Sequence, residues 1–269
     1  WMQGKALSGG DRIFIELSKR WSQKLDIFIF TSTEGADICS REGLNLTNKN
    51  IWTSDIFSGH YLVDGVYRTI TGIFKALRIR TNQGDIILSS SDFLPDAIPA
   101  FILKFKNPKV KWVASFYLFA PKPWQTNSPY KGTKYLLGLV YWLSQLPVYY
   151  IIKQFADIVF VTSQPDIKPF MTKHRGITKI IPVRGGVDVL PAIQYFEQEE
   201  FIPFENRSYD ACFVGRFHYQ KGILELIHIW KNVCKVRPHS RIAIIGIGPL
   251  EEKVHNLIIH MNLQANIDL

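Results

Sequence analysis

The sequence predicts an α/β protein of two doubly wound, Rossmann-like domains, and three features support this prediction. Short apolar runs of strand type alternate with helical segments along most of the 269 residues, the pattern of mostly parallel sheets. Glycines follow two of these runs, at Gly215 and Gly246, as expected for tight turns at the carboxyl edge of a sheet. Residues 191–208 carry Pro, Glu and Asn without periodicity, which predicts an interdomain linker.

The first predicted domain covers residues 1–190. Its Gly9-Gly10 pair precedes a helix that Ser8 or Asp11 can cap. A turn of this kind at a helix N-terminus can admit a phosphate or a sugar hydroxyl, and the plainer alternative is a capped turn. Further strands are predicted at 25–31, 51–53, 85–91, 111–116, 156–162 and 179–183, and further helices at 61–79, 95–105 and 166–173.

The second domain, residues 209–269, is predicted to hold only half of a nucleotide-binding fold. Its strands are expected at 210–214, 241–245 and from 266, and its helices at 223–236 and 250–261. The Gly9-Gly10 turn should itself follow a strand. We therefore expect a fragment of a longer protein, with the second domain truncated, the opening strand of the first missing and no activity by itself.

Composition favours a globular protein with anionic partners. The chain is 46% hydrophobic and 20% charged, and its net charge is +9, which suits phosphorylated substrates, nucleic acid or an acidic membrane. Three separated cysteines without a C-x-x-C pair fit a reducing compartment. The lysines accompany long apolar runs and no nucleic-acid motif occurs, so a nucleic-acid partner is not predicted.

Two cations mark the predicted ligand site of the second domain. Arg216 follows Gly215 at a strand end, and Lys221 with Gly222 opens the next helix. An Arg fork and a Lys point charge at a helix N-terminus suit a diphosphate whose charge grows as it leaves. The alternative is a surface arginine and a helix-capping lysine.

A basic, aromatic stretch suggests contact with a membrane. Residues 97–155 hold eight lysines and no Asp, Glu or Arg, and residues 135–152 are almost wholly apolar. Such a segment suits the surface of anionic lipid, and the alternative is a core helix beside solvated lysines. The lysines assigned to membrane contact are Lys104, Lys106, Lys109, Lys111, Lys131 and Lys134.

Ordered motifs along the chain resemble those of the GT-B glycosyltransferases in the "glycosyl transferases group 1" family. The resemblance spans most of the chain, and in the first motif Asp11 stands in place of a glutamate. The motifs are Gly9-Gly10-Asp11-Arg12, Ala156 to Ser163, Pro182 to Asp188, Gly215-Arg216 with Lys221-Gly222, and Gly246 to Pro249.

The resemblance implies transfer of a sugar from a nucleotide-diphosphate sugar of the UDP or GDP type, with retention. It implies no cofactor and no metal, and no Asp-x-Asp motif occurs. Arg216 and Lys221 would be the catalytic residues that stabilise the departing nucleoside diphosphate. We expect a lipid-linked or membrane-resident acceptor and a cytoplasmic or peripheral membrane location. The donor-binding positions implied are Gly9, Gly10, Gly215, Arg216, Lys221, Gly246 and Gly248.

The acceptor side departs from the family pattern. A histidine often follows the strand that corresponds to residues 111–116, whereas here Phe116 and Tyr117 stand in that region. We assign these two residues to the acceptor side. The family's paired glutamates would lie beyond Leu269.

Two other functions are consistent with parts of the sequence. An NAD(P)-dependent oxidoreductase could use Gly246 and Gly248, but Glu251 occupies the position of the third glycine and would repel a pyrophosphate. A non-catalytic, membrane-associated relic of the fold would explain the missing histidine. The Arg216 and Lys221 pair argues against the relic.

Overall fold

The computed structural model describes residues 7–44, 51–54, 60–126, 128–172, 179–185, 189–197 and 202–269. By its internal contacts the chain divides into two compact units, Trp1–Val187 and Asp188–Leu269.

Unit 1 alternates strands and helices as predicted. Its strands are β1 (Ile29–Ser32), β2 (Ile51–Ser54), β3 (Ile86–Ser89), β4 (Lys111–Ser115), β5 (Ile158–Val161) and β6 (Ile180–Pro182). Its helices are α1 (Gly9–Trp21), α2 (Thr33–Arg41), α3 (Tyr61–Arg78), α4 (Leu94–Lys106), α5 (Tyr135–Phe155) and α6 (Ile167–Phe170). In the described residues β1 pairs with β2, and a second sheet has the order β3-β4-β5-β6, all parallel. The predicted mostly parallel α/β fold is confirmed.

The core of unit 1 is built on β4 and β5, whose apolar runs are buried on both faces. Trp112 and Val159 are fully buried there. The indole nitrogen of Trp112 donates a hydrogen bond of 3.1 Å to Ser89 Oγ, so its polar atom is satisfied. Val148 and Ile152 from the second half of α5 join the same cluster.

The predicted apolar segment is one helix, α5, which continues through Pro147. Residues Gly132–Phe155 are long and apolar enough to cross a membrane by length and composition. The second half of α5 nevertheless packs in the core of unit 1, while Leu136 and Leu137 in its first turn are exposed. The two halves of α5 therefore have different surroundings.

Unit 2 contains a parallel sheet of order β7-β8-β9 in its described part. Its elements are α7 (Leu190–Phe196), β7 (Ala211–Val214), α8 (Ile223–Val236), β8 (Ile242–Ile245), α9 (Glu251–His260) and β9 (Ile267–Asp268). Helix α8 has the predicted bounds, and its apolar side, with Ile223 and Ile227, packs in the core. The predicted linker is not irregular throughout, because Pro191 lies in the first turn of α7, where its fixed φ favours a helix.

Candidate functional site

Two glycine loops meet at the carboxyl ends of β7 and β8. The amide of Gly215 donates a 3.0 Å hydrogen bond to the carbonyl oxygen of Ile245. The amide of Phe217 donates one of 3.0 Å to the carbonyl oxygen of Ile247. The amide of Leu250 donates to the carbonyl oxygen of Phe217 at 3.2 Å. The loop after β7 is thus tied along its length to the loop after β8.

The second loop needs its glycines because the two backbones approach so closely. A Cβ at Gly246 would lie against the carbonyl oxygen of Gly215, and one at Gly248 would lie 2.6 Å from that of Phe217. Neither distance permits a side chain. The predicted donor-site glycines Gly246 and Gly248 therefore act by letting the loops join, and Phe217, 2% exposed, anchors the junction.

Arg216 and Lys221 project from this junction into solvent. Arg216 lies between Gly215 and the buried Phe217, and Lys221 closes a 3-10 turn immediately before α8. Both side chains are exposed. In the part of the chain that the structure describes, neither forms an ion pair with a carboxylate. Both charges are therefore available to an anion.

The start of α8 offers further donors for an anion. Its N-cap is Gly222, at φ 66°, and no side chain caps the helix. The first-turn amides of a helix have no partner within the helix, and its dipole favours negative charge there. An uncapped start beside two free cations forms a suitable site for a diphosphate.

The start of α9 has the opposite character. Glu251 and Glu252 occupy its first turn, and their charges disfavour a pyrophosphate at that point. Gly246 and Gly248 precede this acidic helix end. The geometry therefore favours an anion at α8 and not the dinucleotide turn of an oxidoreductase.

In unit 1 the Gly9-Gly10 turn is capped in the predicted way. The amide of Asp11 donates to Ser8 Oγ at 3.2 Å, and the amide of Ser8 donates to Asp11 Oδ2 at 2.9 Å. This reciprocal pair is a capping box, which gives Asp11 a role in place of the family's glutamate. A Cβ at Gly10 would lie 3.0 Å from the ring of Tyr117, whereas Gly9 has no atom within 4 Å of its Cβ position.

Of the two residues assigned to the acceptor side, only Tyr117 is accessible. It is partly buried and lies against Gly10, so the structure brings two predicted site residues together. Phe116 is 1% exposed, and its ring packs 4.7 Å from that of Phe119 and 5.0 Å from that of Phe170, between centroids. The assignment of Phe116 to acceptor contact is therefore wrong, because its side chain belongs to the core.

Sequence reasoning missed Asp92, which lies beyond the end of β3. This residue is 7% exposed, and its carboxylate accepts a 2.6 Å hydrogen bond from Gln145 Nε2. Gln145 also donates to the carbonyl oxygen of Leu118 and accepts from the amide of Ala120. Burial raises the pKa of Asp92 to about 6. The serines that end β3 were the only signal in the sequence.

The raised pKa gives a testable pH dependence of stability. Burial disfavours the ionised carboxylate, so the contribution of Asp92 to the free energy of unfolding is greatest below the unfolded pKa. It is lost, by at most about 3 kcal/mol, as the pH rises through about 6. We expect Asp92→Asn to remove this loss. The melting temperature of the variant minus that of the wild type should therefore increase between about pH 4 and about pH 8. A constant difference in melting temperature across that range would contradict this account of Asp92.

Two lysines assigned to membrane contact are structural. Lys104 Nζ donates to Asp157 Oδ2 at 2.8 Å, and to the carbonyl oxygens of Pro108 and Val110. Burial raises the pKa of Asp157, but its hydrogen bonds, first that from Lys104, outweigh this and hold the pKa below its ordinary value. Because an ammonium has three donors, Lys104 has none left for lipid.

The ammonium group of Lys106 also forms hydrogen bonds within unit 1. Its Nζ donates to the carbonyl oxygens of Ala76, Leu77 and Ile79 at the end of α3. The hydrogen bonds of both ammonium groups within unit 1 argue against the membrane contact predicted for Lys104 and Lys106. Lys109, Lys131 and Lys134 are exposed, and Lys111 is 66% exposed with its Nζ 3.8 Å from Asp157.

One predicted motif is only partly described by the structure. The end of the interdomain motif, residues 186–188, lies outside the described residues, while Pro182 ends β6. Among the described residues, no group of three or more His, Cys, Asp and Glu side chains is placed to hold a metal ion.

Comparison with solved structures identifies the fold. HepE from Anabaena, solved in complex with UDP, is 13% identical and aligns over 99% of this chain and 66% of its own, with a TM-score of 0.58. The lipopolysaccharide outer core galactosyltransferase WaaB, in its apo form, is 15% identical and aligns over 98% and 65%, with a TM-score of 0.57. At these identities the likeness shows the fold alone, and that fold is GT-B.

Sequence comparison then shows a similarity to one family. Residues 195–269 match the family described as "Glycosyl transferases group 1". An uncharacterized glycosyltransferase from Methanocaldococcus jannaschii is 28% identical over 208 residues, which are 76% of this chain and 49% of that relative. The chain thus spans about half the length of this curated relative. The fold and these sequence matches together make the chain similar to the group 1 glycosyltransferases.

Proposed function

We propose that the whole protein transfers a sugar from a UDP or GDP sugar to an acceptor, with retention of anomeric configuration. One observation carries the proposal: Arg216 and Lys221 are exposed, paired with no carboxylate in the described residues, and adjacent to the uncapped start of α8. Structures of Anabaena HepE with UDP and with UDP-glucose support a nucleotide-diphosphate donor. The donor-side glycines proposed are Gly9, Gly10, Gly215, Gly246 and Gly248.

The proposed chemistry relies on charges fixed in place before the reaction. As the sugar leaves, negative charge accumulates on the nucleoside diphosphate. Arg216 presents a planar fork to phosphate oxygens, and Lys221 adds a point charge. Because the joined loops hold Arg216 at the strand end, little reorganisation is needed, and such fixed groups stabilise developing charge effectively.

The acceptor is proposed to be lipid-linked or membrane-resident, with the protein peripheral to the cytoplasmic face of a membrane. Tyr117, Gly10 and Asp92 lie near the carboxyl edge of the unit 1 sheet, where ligands of parallel α/β folds bind. The four other lysines assigned to membrane contact are exposed and favour an anionic surface: Lys109, Lys111, Lys131 and Lys134.

Sugar transfer by the whole protein tests this function. We expect one labelled UDP or GDP sugar from a panel to pass its sugar to a membrane lipid extract, and NMR of the product to show the donor's anomeric configuration. Absence of transfer from every donor, to lipid and to water-soluble acceptors alike, would support the non-catalytic relic. Oxidation of NAD(P)H by the protein would instead support the oxidoreductase.

A further inference from the structure

Helix α3 turns its apolar side away from unit 1. Surface helices normally bury their apolar stripe and expose their polar residues. In α3 six large apolar side chains on one face are each between 47% and 60% exposed. These residues, here called the α3 outer face, are Leu62, Val63, Val66, Ile70, Phe74 and Leu77.

The inner side of α3 consists of small and polar residues. Asp64 is fully buried, and Arg68 and Ala76 are 8% and 2% exposed. Gly72 lies so close to α4 that a Cβ there would be 2.6 Å from Pro99 Cγ. Lys106, at the end of α4, donates to three carbonyl oxygens at the end of α3. Polar and close contacts thus fix the rotation of α3 with its apolar face outward.

The α3 outer face continues into the exposed first half of α5. A cavity of about 200 Å³ lies between the two helices, and its lining is mostly apolar. Leu62 and Val66 line it from α3, and Leu137 and Val140 line it from α5. Leu136 and Leu137 are also exposed beside it. The result is one continuous apolar surface with a recess that can take an aliphatic chain.

Exposed cations adjoin this surface at both ends. Arg78 ends the last turn of α3 and Arg80 follows it, and Lys131 and Lys134 precede α5. The only acidic residue of α3, Asp64, is buried on the inner side. An apolar face bordered by cations complements the headgroups and acyl chains of anionic lipid.

We propose that the α3 outer face lies in the interface of an anionic bilayer and that the cavity beside it receives an aliphatic chain. This inference rests on the proposed membrane-resident acceptor, and it identifies the surface that brings the protein to it. A bilayer suits this surface better than a second copy of the chain does. Pairing two such faces would bring the bordering arginines and lysines of both copies together, and like charges repel.

Vesicle flotation tests this surface, with matched variants in the whole protein. Ile70→Asn/Phe74→Asn alters the α3 outer face outside the cavity lining. Ile229→Asn/Ile259→Asn alters two side chains of similar exposure on α8 and α9, at 57% and 58%. Arg78→Gln/Arg80→Gln removes bordering charge, and Lys235→Gln/Arg237→Gln is its control. Circular dichroism melting confirms that each variant is folded.

We expect the wild type to float with vesicles of phosphatidylglycerol and phosphatidylcholine, and less with phosphatidylcholine alone. Ile70→Asn/Phe74→Asn should weaken partitioning roughly tenfold or more, because two inserted apolar side chains are lost. Arg78→Gln/Arg80→Gln should weaken it at low salt and little at high salt. Both control variants should float like the wild type.

Three results would overturn the proposal: no flotation of the wild type, equal flotation of the α3 variant and its control, or a dimer in solution that only the α3 variant disrupts. Transfer to a water-soluble acceptor separates this test from that of the proposed function. If the wild type transfers sugar but does not float, the proposed membrane surface is wrong and the transferase activity stands. If the wild type floats but transfers no sugar, the proposed membrane surface stands and the proposed transferase activity is wrong.

Discussion

Replacing Arg216 or Lys221 should reduce sugar transfer severely without unfolding the protein. We expect Arg216→Ala and Lys221→Ala each to lower kcat/KM for the nucleotide sugar by about 10²-fold or more, as for the loss of one fixed charge contact. Both side chains are exposed and outside any ion pair of the described residues, so the melting temperature should stay close to that of the wild type. Steady-state kinetics with the donor found in the panel, together with thermal melts, measure both effects.

Two further variants sharpen this expectation. Arg216→Lys keeps the charge and loses the planar fork, so it should restore only part of the rate. Arg237→Ala, at the C-terminal end of α8, removes an exposed cation far along the helix from its start and should leave the rate unchanged. If Arg216→Ala and Lys221→Ala both transferred sugar at the wild-type rate, the assigned donor site would be wrong.

Gly246→Ala should have the largest effect on stability. The added methyl group would overlap the carbonyl oxygen of Gly215, and a backbone atom cannot move aside as a flexible side chain can. We expect the free energy of unfolding of unit 2 to fall by about 3 kcal/mol or more, and donor binding to weaken with it. Thermal and denaturant unfolding, followed by circular dichroism, measure the loss.

Gly9→Ala is the matched control, because no atom lies within 4 Å of the added methyl group. Alanine suits a helix better than glycine does, so its stability should equal or slightly exceed that of the wild type. Wild-type stability of Gly246→Ala would show that the loops after β7 and β8 are not joined as described.

The secondary structure of this chain could largely be predicted from its sequence, for a physical reason. Parallel strands buried on both faces appear as continuous apolar runs, as in β4 and β5. The apolar periodicity of α8 spans Ile223–Val236 in both prediction and structure. The predicted site residues Gly10 and Tyr117 are also in contact, although nothing in their spacing required it.

Other features depend on three-dimensional neighbours that no local pattern specifies. Lys104 and Lys106 look like solvated cations in the sequence, because the carbonyl oxygens they bind come partly from residues nearly 30 positions away. Phe116 continues the apolar run of β4 into the core, so its position after a strand was misleading. The periodicity of α3 predicted a helix but not that its apolar face would turn outward.

Asp92 shows the same limit for the candidate site. A single aspartate after a serine-ended strand is not a motif. Its raised pKa arises from burial beside Gln145, which lies 53 residues further along the chain. Only the packing of α5 against the end of β3 brings these two side chains together.

Hydrogen exchange of the whole protein with and without UDP or GDP tests the central claim most directly, because it locates the bound nucleotide. The account predicts slower exchange of backbone amides at residues 215–217 and in the first turn of α8, residues 222–226, and loss of that protection in Arg216→Ala/Lys221→Ala. Binding of the nucleotide that left exchange at these amides unchanged, or slowed it only at the start of α9, would contradict the account.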